Sequence, residues 1–372
     1  MKTNHIKSLL WLAGAAALVS LSGCGNSSSS TPSTPSTHST VSDNVVLTAN
    51  TNDSTLSVFN IDTLGTLTKV DDLSVGYKPT DLIIHPNGKF LIVMNSASSN
   101  GSWDDNGSVG VYSIGEGGLT LVSESNMTMA LNGAITPNGK YIYITNQNDF
   151  EISAFSIDSE TGALTELSTS PYEEYEAHSI VMHPSGKFFF VGSEDGDIYS
   201  HIIYDENGSY SENTSNILEE DAFNWLAVTP NGEYLYAGYA SGTGIYGYGI
   251  NQTDGNLTIL PGFPILNPAS GLKSSTVTPS GKYIYFTSFD DNNVTGYAIG
   301  GDGSLTLIDS TATGTRPKSI DISSDSMFAY VANYGDNNVS AYSIETNGSL
   351  TAIDTYDVGD GPKRVITGYI PW

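Results

Sequence analysis

His85-Pro86-Asn87-Gly88-Lys89, followed at once by the alternating hydrophobic run from Phe90 to Asn95, is the segment whose repetition indicates the fold. The same turn and run return along the chain. The further copies of the turn are Pro137-Asn138-Gly139-Lys140, Pro184-Ser185-Gly186-Lys187, Pro230-Asn231-Gly232-Glu233, Pro279-Ser280-Gly281-Lys282 and the worn Ser323-Ser324-Asp325-Ser326-Met327. The five prolines are 51, 47, 46 and 49 residues apart. A period of this length, filled with short strands and Gly-rich turns, is typical of the blade of a β-propeller.

One complete repeat, residues 81–122, shows how such a blade would be built. Asp81 to Ile84 is a short inner strand, and the Pro-Asn-Gly turn leads into a second strand from Phe90 to Asn95. Val109 to Ile114 is a third strand, and Leu119 to Val122 is a fourth after a Gly-rich hairpin. Four antiparallel strands per repeat predict one blade.

The number of second strands predicts the number of blades. They run from Val45 to Asn50, Phe90 to Asn95, Tyr141 to Asn146, Phe188 to Ser193, Tyr234 to Tyr239, Tyr283 to Ser288 and Phe328 to Asn333. The first blade lacks an inner strand, whereas Arg364 to Thr367 is a spare one at the C-terminal end. We therefore expect an all-β, seven-bladed β-propeller of four-stranded antiparallel blades, closed by the C-terminal inner strand. Closure would leave no open sheet edge in the ring.

The first residues have the pattern of a targeting segment. Lys2 and Lys7 precede the apolar run Leu9 to Leu21, which is too short to span a bilayer. Leu21-Ser22-Gly23-Cys24 resembles the processing box of bacterial lipoproteins, and Cys24 is the single cysteine of the chain. The pattern predicts lipidation of Cys24, and the alternative is an ordinary buried or free thiol.

This interpretation sets the predicted organisation of the chain. Residues 1–23 would be a signal peptide, residues 24–43 a tether rich in Ser, Thr and Pro, and residues 44–372 the propeller. Gly25 stands where many Gram-negative lipoproteins carry a retention Asp for the inner membrane. The resemblance therefore implies a lipid-anchored protein of the cell envelope, sorted to the outer membrane.

The charge balance excludes some classes of partner. Without Lys2 and Lys7, 11 basic residues remain against 40 acidic ones, which gives a net charge of −29. Nucleic acid and anionic lipid are repelled over most of such a surface. Solubility in the envelope is a sufficient reason for the acidity. We expect a monomer that does not bind nucleic acid.

The repeat resembles that of the seven-bladed lactonase-like propellers. The similarity lies in Tyr330-Val331-Ala332-Asn333, in Tyr141 to Asn146, and in the stretch Asp336 to Ile344. That family contains 6-phosphogluconolactonases and carboxymuconate cyclases. The resemblance implies the propeller fold from about Val45 onward, and a lactone hydrolase or cycloisomerase with its site at one mouth of the central channel.

Enzymes of that family tend to open an inner strand with Gly-Pro-Arg-His, which places Arg and His at the mouth. The equivalent pairs here are Thr80 and Asp81, Leu131 and Asn132, His178 and Ser179, Asn224 and Trp225, Lys273 and Ser274, Lys318 and Ser319, and Lys363 and Arg364. No blade carries both Arg and His, and Gly361-Pro362-Lys363-Arg364 comes closest. This departure favours binding over inherited catalysis.

Four basic residues, Lys273, Lys318, Lys363 and Arg364, share the mouth positions of consecutive inner strands. In a chain of this net charge they predict a local positive field that holds a carboxylate or phosphate. The alternative is that they neutralise Asp81 and the carboxylates of the surrounding loops. Asp81 and Asn132 complete the predicted polar lining for a ligand.

His178 and Trp225 are the other candidates at the mouth. His178, oriented by Glu194 from a loop of the same blade, would act as a general base, or would simply be a polar lining residue. The Trp225 ring would stack on a sugar or lactone ring, or would plug the channel.

The sequence predicts no metal site and no cofactor. The acidic turns around residues 103–107 and 193–197 could bind Ca²⁺, but Asp with Gly is ordinary hairpin chemistry and the spacing of an EF-hand is missing. We favour an envelope-anchored protein that binds a small anion, a sugar-like molecule or a protein partner at the mouth. The alternative is a hydrolase or cycloisomerase acting on a lactone.

Overall fold

The computed structural model describes residues 44–96, 107–115, 118–146, 149–168, 170, 172–173, 177–193, 196–213, 223–239, 244–266 and 269–370. Within these ranges the chain forms seven antiparallel sheets, and each has an inner, a second, a third and an outer strand. The all-β, seven-bladed propeller predicted from the repeat is confirmed. Nothing in these ranges forms a helix long and apolar enough to cross a membrane. The predicted signal peptide, Cys24 and the tether lie outside the described residues and stay predictions.

The strands have the same order in every blade. The inner strands are β4 (Pro79–Ile84), β8 (Ala130–Ile135), β13 (Ala177–Met182), β17 (Phe223–Val228), β22 (Leu272–Val277), β26 (Pro317–Ile322) and β30 (Pro362–Tyr369). The second strands are β1 (Asn44–Asn50), β5 (Phe90–Asn95), β9 (Tyr141–Asn146), β14 (Phe188–Ser193), β18 (Tyr234–Tyr239), β23 (Tyr283–Ser288) and β27 (Phe328–Asn333). The third strands are β2 (Thr55–Ile61), β6 (Gly107–Gly115), β10 (Glu151–Ile157), β15 (Ile198–Ile203), β19 (Gly244–Ile250), β24 (Asn293–Ile299) and β28 (Asn338–Ile344). The outer strands are β3 (Leu67–Ser74), β7 (Gly118–Met127), β11 (Leu164–Glu166), β16 (Tyr210–Asn213), β20 (Leu257–Ile259), β25 (Leu305–Ala312) and β29 (Leu350–Asp357), while the short β12 (Tyr172–Glu173) and β21 (Ile265–Leu266) pair with β10 and β19.

The repeated turn has the same geometry in every copy, including the divergent copy Ser323 to Met327. In the first copy Gly88 N–H donates to His85 O at 2.8 Å, and Gly88 has a φ of 72°. In the last copy Ser326 N–H donates to Ser323 O at 2.8 Å, and Ser326 takes a φ of 63°. The left-handed conformation is therefore kept even where glycine is absent.

The C-terminal strand closes the ring. Strand β30 pairs antiparallel with β1, with Leu47 opposite Ile366 and Val46 opposite Thr367. The first sheet is thus assembled from both ends of the propeller sequence. This confirms the prediction drawn from the spare strand Arg364 to Thr367.

Adjacent blades are held by apolar clusters and by a repeated tyrosine bond. Four fully buried tyrosines in second strands donate their hydroxyls to the carbonyl of a glycine in the outer hairpin of the next blade. The pairs are Tyr143 with Gly208, Tyr236 with Gly303 and Tyr285 with Gly348, each at 2.8 Å, and Tyr330 with Gly65 at 3.1 Å. The last pair spans the closure of the ring. Burial raises the pKa of all four hydroxyls, which keeps them as donors.

Candidate active site at the channel mouth

Each inner strand begins with a β-bulge at the same place. The register shifts skip one residue in all seven inner strands, and the skipped residues are Thr80, Leu131, His178, Asn224, Lys273, Lys318 and Lys363. These are the first members of the seven mouth pairs predicted from the sequence. A bulge residue is released from the ladder and can direct its side chain away from the sheet. Each blade therefore has one projecting position at the same place, and the residue type at that position differs from blade to blade.

Six of the seven bulge residues, which differ in charge and polarity, line one cavity. This mouth cavity has a volume of about 450 Å³, and its lining includes Thr80, Leu131, Asn132, His178, Lys273, Phe289, Lys318, Lys363 and Arg364. The four predicted cations are thus brought together with His178 and Asn132. Its size suits a single small molecule.

Arg364 is the one cation of this group with an ion pair among the described residues. Its Nε lies 2.9 Å from Asp81 Oδ1, and Asp81 also accepts the N–H of Gly133 in the next blade at 3.1 Å. The Asp81 side chain is 5% exposed, so the pair is shielded on that side. Asp81 therefore fixes Arg364 and braces neighbouring inner strands. The counter-charge interpretation applies to Arg364.

Two of the three lysines, Lys318 and Lys273, have aromatic neighbours instead. Lys318 Nζ lies 3.9 Å from the ring centroid of Tyr334 and 5.8 Å from that of Phe289. Lys273 Nζ lies 5.9 Å from the Phe289 centroid. In the described part of the chain none of Lys273, Lys318 and Lys363 forms an ion pair. Cation–π contacts hold an ammonium group without neutralising it.

Burial and the charges of neighbouring cations shift Lys363 and Lys318 toward their neutral forms. Burial, followed by the charge of Lys318, lowers the pKa of Lys363 to about 8, although Asp81 opposes the shift. Burial and the charges of Lys273 and Arg316 also lower the pKa of Lys318. Lys363 is nevertheless reached by solvent, because it lines the mouth cavity. An amine that titrates near neutral pH can both accept and donate a proton.

Two carboxylates of the rim, Asp336 and Asp291, are engaged with backbone N–H groups. Asp336 accepts the N–H of Thr315 at 2.7 Å, and Asp291 accepts the N–H of Ser270 at 2.7 Å. Each of these aspartates follows the second strand of a blade and holds the segment that leads into the inner strand of the same blade. These carboxylates stabilise the loops and are not paired with the lysines.

His178 and Asn132 are linked at the mouth. Asn132 Nδ2 donates to the backbone oxygen of His178 at 2.6 Å, which joins two neighbouring inner strands. The His178 side chain is half-buried and lines the mouth cavity. Glu194, its predicted orienting partner, lies outside the described residues.

Trp225 contributes to the channel below the mouth. It is 4% exposed, its ring centroid lies 4.8 Å from that of Phe286, and its six-membered ring packs over Gly238. A side chain at Gly238 would collide with the indole. Trp225 lines a second, deeper space of about 420 Å³, the channel cavity, together with Asp81 and Arg364. The packing favours a structural role for this ring over stacking on a ligand in the mouth cavity.

Three residues of the mouth were missed by the sequence reasoning. Phe289 and Tyr334 follow second strands and supply the rings under the lysines. Arg316, just before β26, places its guanidinium carbon 5.5 Å from the Phe289 centroid. The signal for Arg316 is in the sequence. The residue just before the Pro or Leu that begins an inner strand is Gly271 in one blade and Gly361 in another, but it is an arginine in the blade of β26.

The described residues contain no group of three or more His, Cys, Asp or Glu side chains that could hold a metal ion. The two acidic turns weighed as Ca²⁺ sites fall largely outside the described ranges. The described side chains at the mouth include amines, a guanidinium, an imidazole and aromatic rings.

Comparison with known proteins identifies the family. The family described as "Lactonase, 7-bladed beta-propeller" matches residues 30–105, 104–183, 127–218 and 270–367. A 6-phosphogluconolactonase of Formosa agariphila is 27% identical over 139 residues, which are 34% of this chain and 37% of that protein. A 6-phosphogluconolactonase of Serratia proteamaculans is 28% identical over 158 residues, 38% of this chain and 45% of that protein. The chain thus matches less than half of the length of these relatives.

Solved structures agree on the fold. The periplasmic gluconolactonase of Pseudomonas aeruginosa superposes with a TM-score of 0.76 at 16% identity, covering 88% of this chain and 99% of that one. A protein of Lactobacillus plantarum gives the same TM-score at 20% identity, with 88% and 99% covered. Because the family match extends over more than half of the sequence and the seven blades are present, this chain belongs to the lactonase family of seven-bladed β-propellers.

Proposed function

We propose that this protein is a lactone hydrolase that opens the cyclic ester of a sugar lactone in the mouth cavity. The family and the names of the relatives support this activity over the binding role favoured by the sequence. The observation that carries the proposal is the placement of Lys363 beside Lys318 in the mouth cavity with His178. A proton carrier and fixed positive charge are what ester hydrolysis requires.

The reaction has two steps with different needs. Water adds to the acyl carbon, loses a proton to a base, and the carbonyl electrons move to oxygen as a tetrahedral oxyanion. The intermediate then collapses, the ring C–O bond breaks, and the leaving alkoxide takes up a proton. One water is consumed, and the hydroxy acid that forms then releases its carboxyl proton to solvent, which leaves a hydroxy carboxylate.

The side chains of the mouth can be assigned to these needs. Lys363, with a pKa of about 8, is neutral in about a tenth of molecules at pH 7 and can take the proton from water. The resulting ammonium is then placed to return that proton to the alkoxide. Lys318 supplies fixed positive charge to the oxyanion and to the product carboxylate. Arg364 is paired with Asp81, which compensates its charge, so Lys318 and not Arg364 is the source of this positive field.

The test is the hydrolysis of D-glucono-1,5-lactone, measured as proton release and corrected for the spontaneous rate. Lys363→Met removes the amine while keeping a side chain of similar length, and should lower kcat/KM at least 100-fold. Lys140→Met is the matched control, because Lys140 is exposed in a repeated turn at the other end of its inner strand. It should leave the rate unchanged. Catalysis in Lys363→Met equal to wild type would contradict the assignment, and His178→Ala would then test the other proton carrier.

The binding role is a distinct outcome of the same experiment. A wild-type protein that shows heat on titration with gluconate, but no hydrolysis above the spontaneous rate, would be a binding protein. The cation cluster would then serve recognition alone.

We also propose that the protein acts in the cell envelope, anchored through Cys24. The proposal is supported by the apolar segment and the Leu21-Ser22-Gly23-Cys24 box. Labelled fatty acid should enter the wild type and not Cys24→Ser, and the variant should leave the membrane fraction. Unchanged membrane association of Cys24→Ser would contradict the anchor.

A further inference from the structure

In four blades the residue just before the third strand has a left-handed backbone. The φ angles are 59° at Ser54, 56° at Phe150, 55° at Asn292 and 54° at Asn337. A residue with a Cβ loses free energy in this conformation, although the short polar side chain of Asn tolerates it better than most. Phe150 is therefore the unusual member of the set.

The three polar members of this set hold the next blade. In each, the side-chain oxygen accepts the N–H of the residue two positions before the bulge of the next inner strand. The pairs are Ser54 with Lys78 at 3.3 Å, Asn292 with Arg316 at 2.8 Å and Asn337 with Gly361 at 3.0 Å. The phenyl ring of Phe150 has no acceptor for such a bond, and the side chain is 46% exposed. Strained residues that do not stabilise the fold are concentrated at functional sites.

Met129 is a second strained apolar residue of the same blade. Its φ is 33°, at the place where the blade of β22 has Gly271. The hydroxyl of Thr128 donates to Asp149, so the segment before Met129 is tied to the hairpin that contains Phe150. Both strained residues therefore lie at the mouth end of one blade.

Met129 and Leu131 form the apolar part of the lining of the mouth cavity. Both residues line it, and Leu131 is the bulge residue of β8, only 6% exposed. The inner strands follow one another around the ring as β4, β8, β13, β17, β22, β26 and β30, so β8 stands opposite β22 and β26. The apolar part therefore lies across the cavity from Lys273 and Lys318. Such a cavity suits a molecule with a polar end and an apolar end.

We propose that Met129, Leu131 and Phe150 form an apolar wall that takes the apolar substituent of a lactone, so that the substrates include lactones with an alkyl or aryl group. The inference rests on the proposed function in naming a lactone as the ligand, and it extends that function beyond sugar lactones. The ester lies at Lys363 on β30, and the substituent extends to β8, two inner strands away. Met129 and Leu131 remove the substituent from water, and the Phe150 ring covers it at the rim. The three are specificity-determining residues that take no part in the proton transfer.

A double variant, Met129→Gly with Phe150→Asn, removes two parts of the wall. Gly and Asn are the residues that stand at these places in other blades, and both suit a left-handed backbone. The double variant should therefore melt at or above the temperature of the wild type. The ratio of kcat/KM for δ-nonalactone, which carries a butyl group, to kcat/KM for glucono-1,5-lactone should fall at least tenfold.

The same ratio for dihydrocoumarin, which carries a fused benzene ring, distinguishes the two kinds of substituent. A fall in one ratio alone identifies the group that the wall takes. Unchanged ratios for both apolar lactones, or a wild type that turns over gluconolactone alone, would overturn the proposal.

Tyr204→Asn is the matched control for the exposed ring. Tyr204 is 50% exposed and lies at the turn end of its blade, and Asn251 stands at the equivalent place in the next blade with the same backbone bond. This variant should leave every kcat/KM unchanged, whereas Phe150→Asn alone should lower the ratio for the apolar lactones at least threefold. Equal changes in Tyr204→Asn and Phe150→Asn would overturn the wall, because the place of the ring would then not matter.

Calorimetric titration with the hydrolysis products separates this inference from the proposed function. 5-Hydroxynonanoate carries the butyl group, and gluconate does not. If the wild type turns over no lactone, the proposed function fails, yet binding of 5-hydroxynonanoate that the double variant weakens at least tenfold more than that of gluconate would still support the wall. In that case, equal affinities of wild type and double variant for 5-hydroxynonanoate, or no heat with either protein, would overturn it.

Discussion

The two ends of each inner strand differ in what is repeated from blade to blade. At the turn end, the same hydrogen bonds recur in blade after blade, down to the left-handed Gly88 and its worn counterpart Ser326. At the mouth end, the bulge recurs while the side chain on it changes, from Thr80 to His178 to Lys363. The repeated hydrogen bonds stabilise the fold, whereas the bulge positions, which are released from the ladder, can hold functional side chains of different types. Substitutions at the two ends should therefore separate stability from activity.

Deletion of the whole inner strand β30 should have the largest effect on stability and activity. A chain truncated after Gly359 loses β30, which pairs with β1 and carries Lys363 and Arg364. An open second strand would remain, and such edges associate. We expect loss of the cooperative unfolding transition and aggregation on size-exclusion chromatography. A truncated protein that melts like the full chain would show that β30 is dispensable.

Arginine substitutions should distinguish the two half-buried lysines, Lys363 and Lys318. Arginine keeps the charge but does not deprotonate near neutral pH. Lys363→Arg should therefore lose at least 100-fold in kcat/KM for gluconolactone, whereas Lys318→Arg should lose tenfold or less, because fixed charge is its role. Both should melt close to wild type. Equal rates for the two variants would remove the distinction between proton carrier and electrostatic partner.

The tyrosine bonds between blades should act on stability alone. Tyr236→Phe leaves the Gly303 carbonyl buried without its donor, and we expect a loss of about 1–2 kcal/mol in the free energy of unfolding. Tyr234→Phe is the control, because its hydroxyl makes the same kind of bond to Gly301 at an exposed site. Its loss should be smaller, and kcat/KM should be unaffected in both. Denaturant unfolding with equal losses would show that burial does not set the value of the bond.

His183 should give the smallest effect, a pH dependence of stability at the turn end. Ser185 N–H donates to His183 Nδ1 at 3.1 Å, so Nε2 carries the proton toward Gly232 O at 3.0 Å. Burial, with the charge of Lys187 adding, lowers the pKa of His183 below its unfolded value of about 6.5. The stabilisation is therefore present above pH 6.5 and is lost as the pH falls toward the lowered value.

The matched variant is His183→Thr, since Thr136 and Thr229 stand at the equivalent place in other blades. It should flatten the change in melting temperature between pH 7 and pH 5. An identical pH dependence in both proteins would assign the effect to other groups.

The repeat made the fold predictable, and the same periodicity explains what was missed. Second strands such as Tyr141–Asn146 were predicted to the residue, because their alternation and flanking turns are local signals. The convergence of Lys273, Lys318 and Lys363 also followed from equivalent positions on a closed ring. The bulges, and the contacts of Phe289 and Tyr334 with those lysines, depend on how neighbouring segments approach one another. Local pattern does not contain that information, and for the same reason Trp225 was expected at the mouth but packs on Phe286 below it.

The decisive measurement is the pH profile of kcat/KM for gluconolactone hydrolysis, because it reports whether Lys363 in the mouth cavity moves the proton. The rate should rise with pH through an apparent pKa of about 8, after subtraction of the spontaneous reaction, because the neutral amine is the active form. Lys363→Met should remove this rising limb and leave a low, flat profile. A wild-type limb near pH 6.5, the ordinary range of histidine, or an unchanged limb near pH 8 in Lys363→Met, would contradict the account.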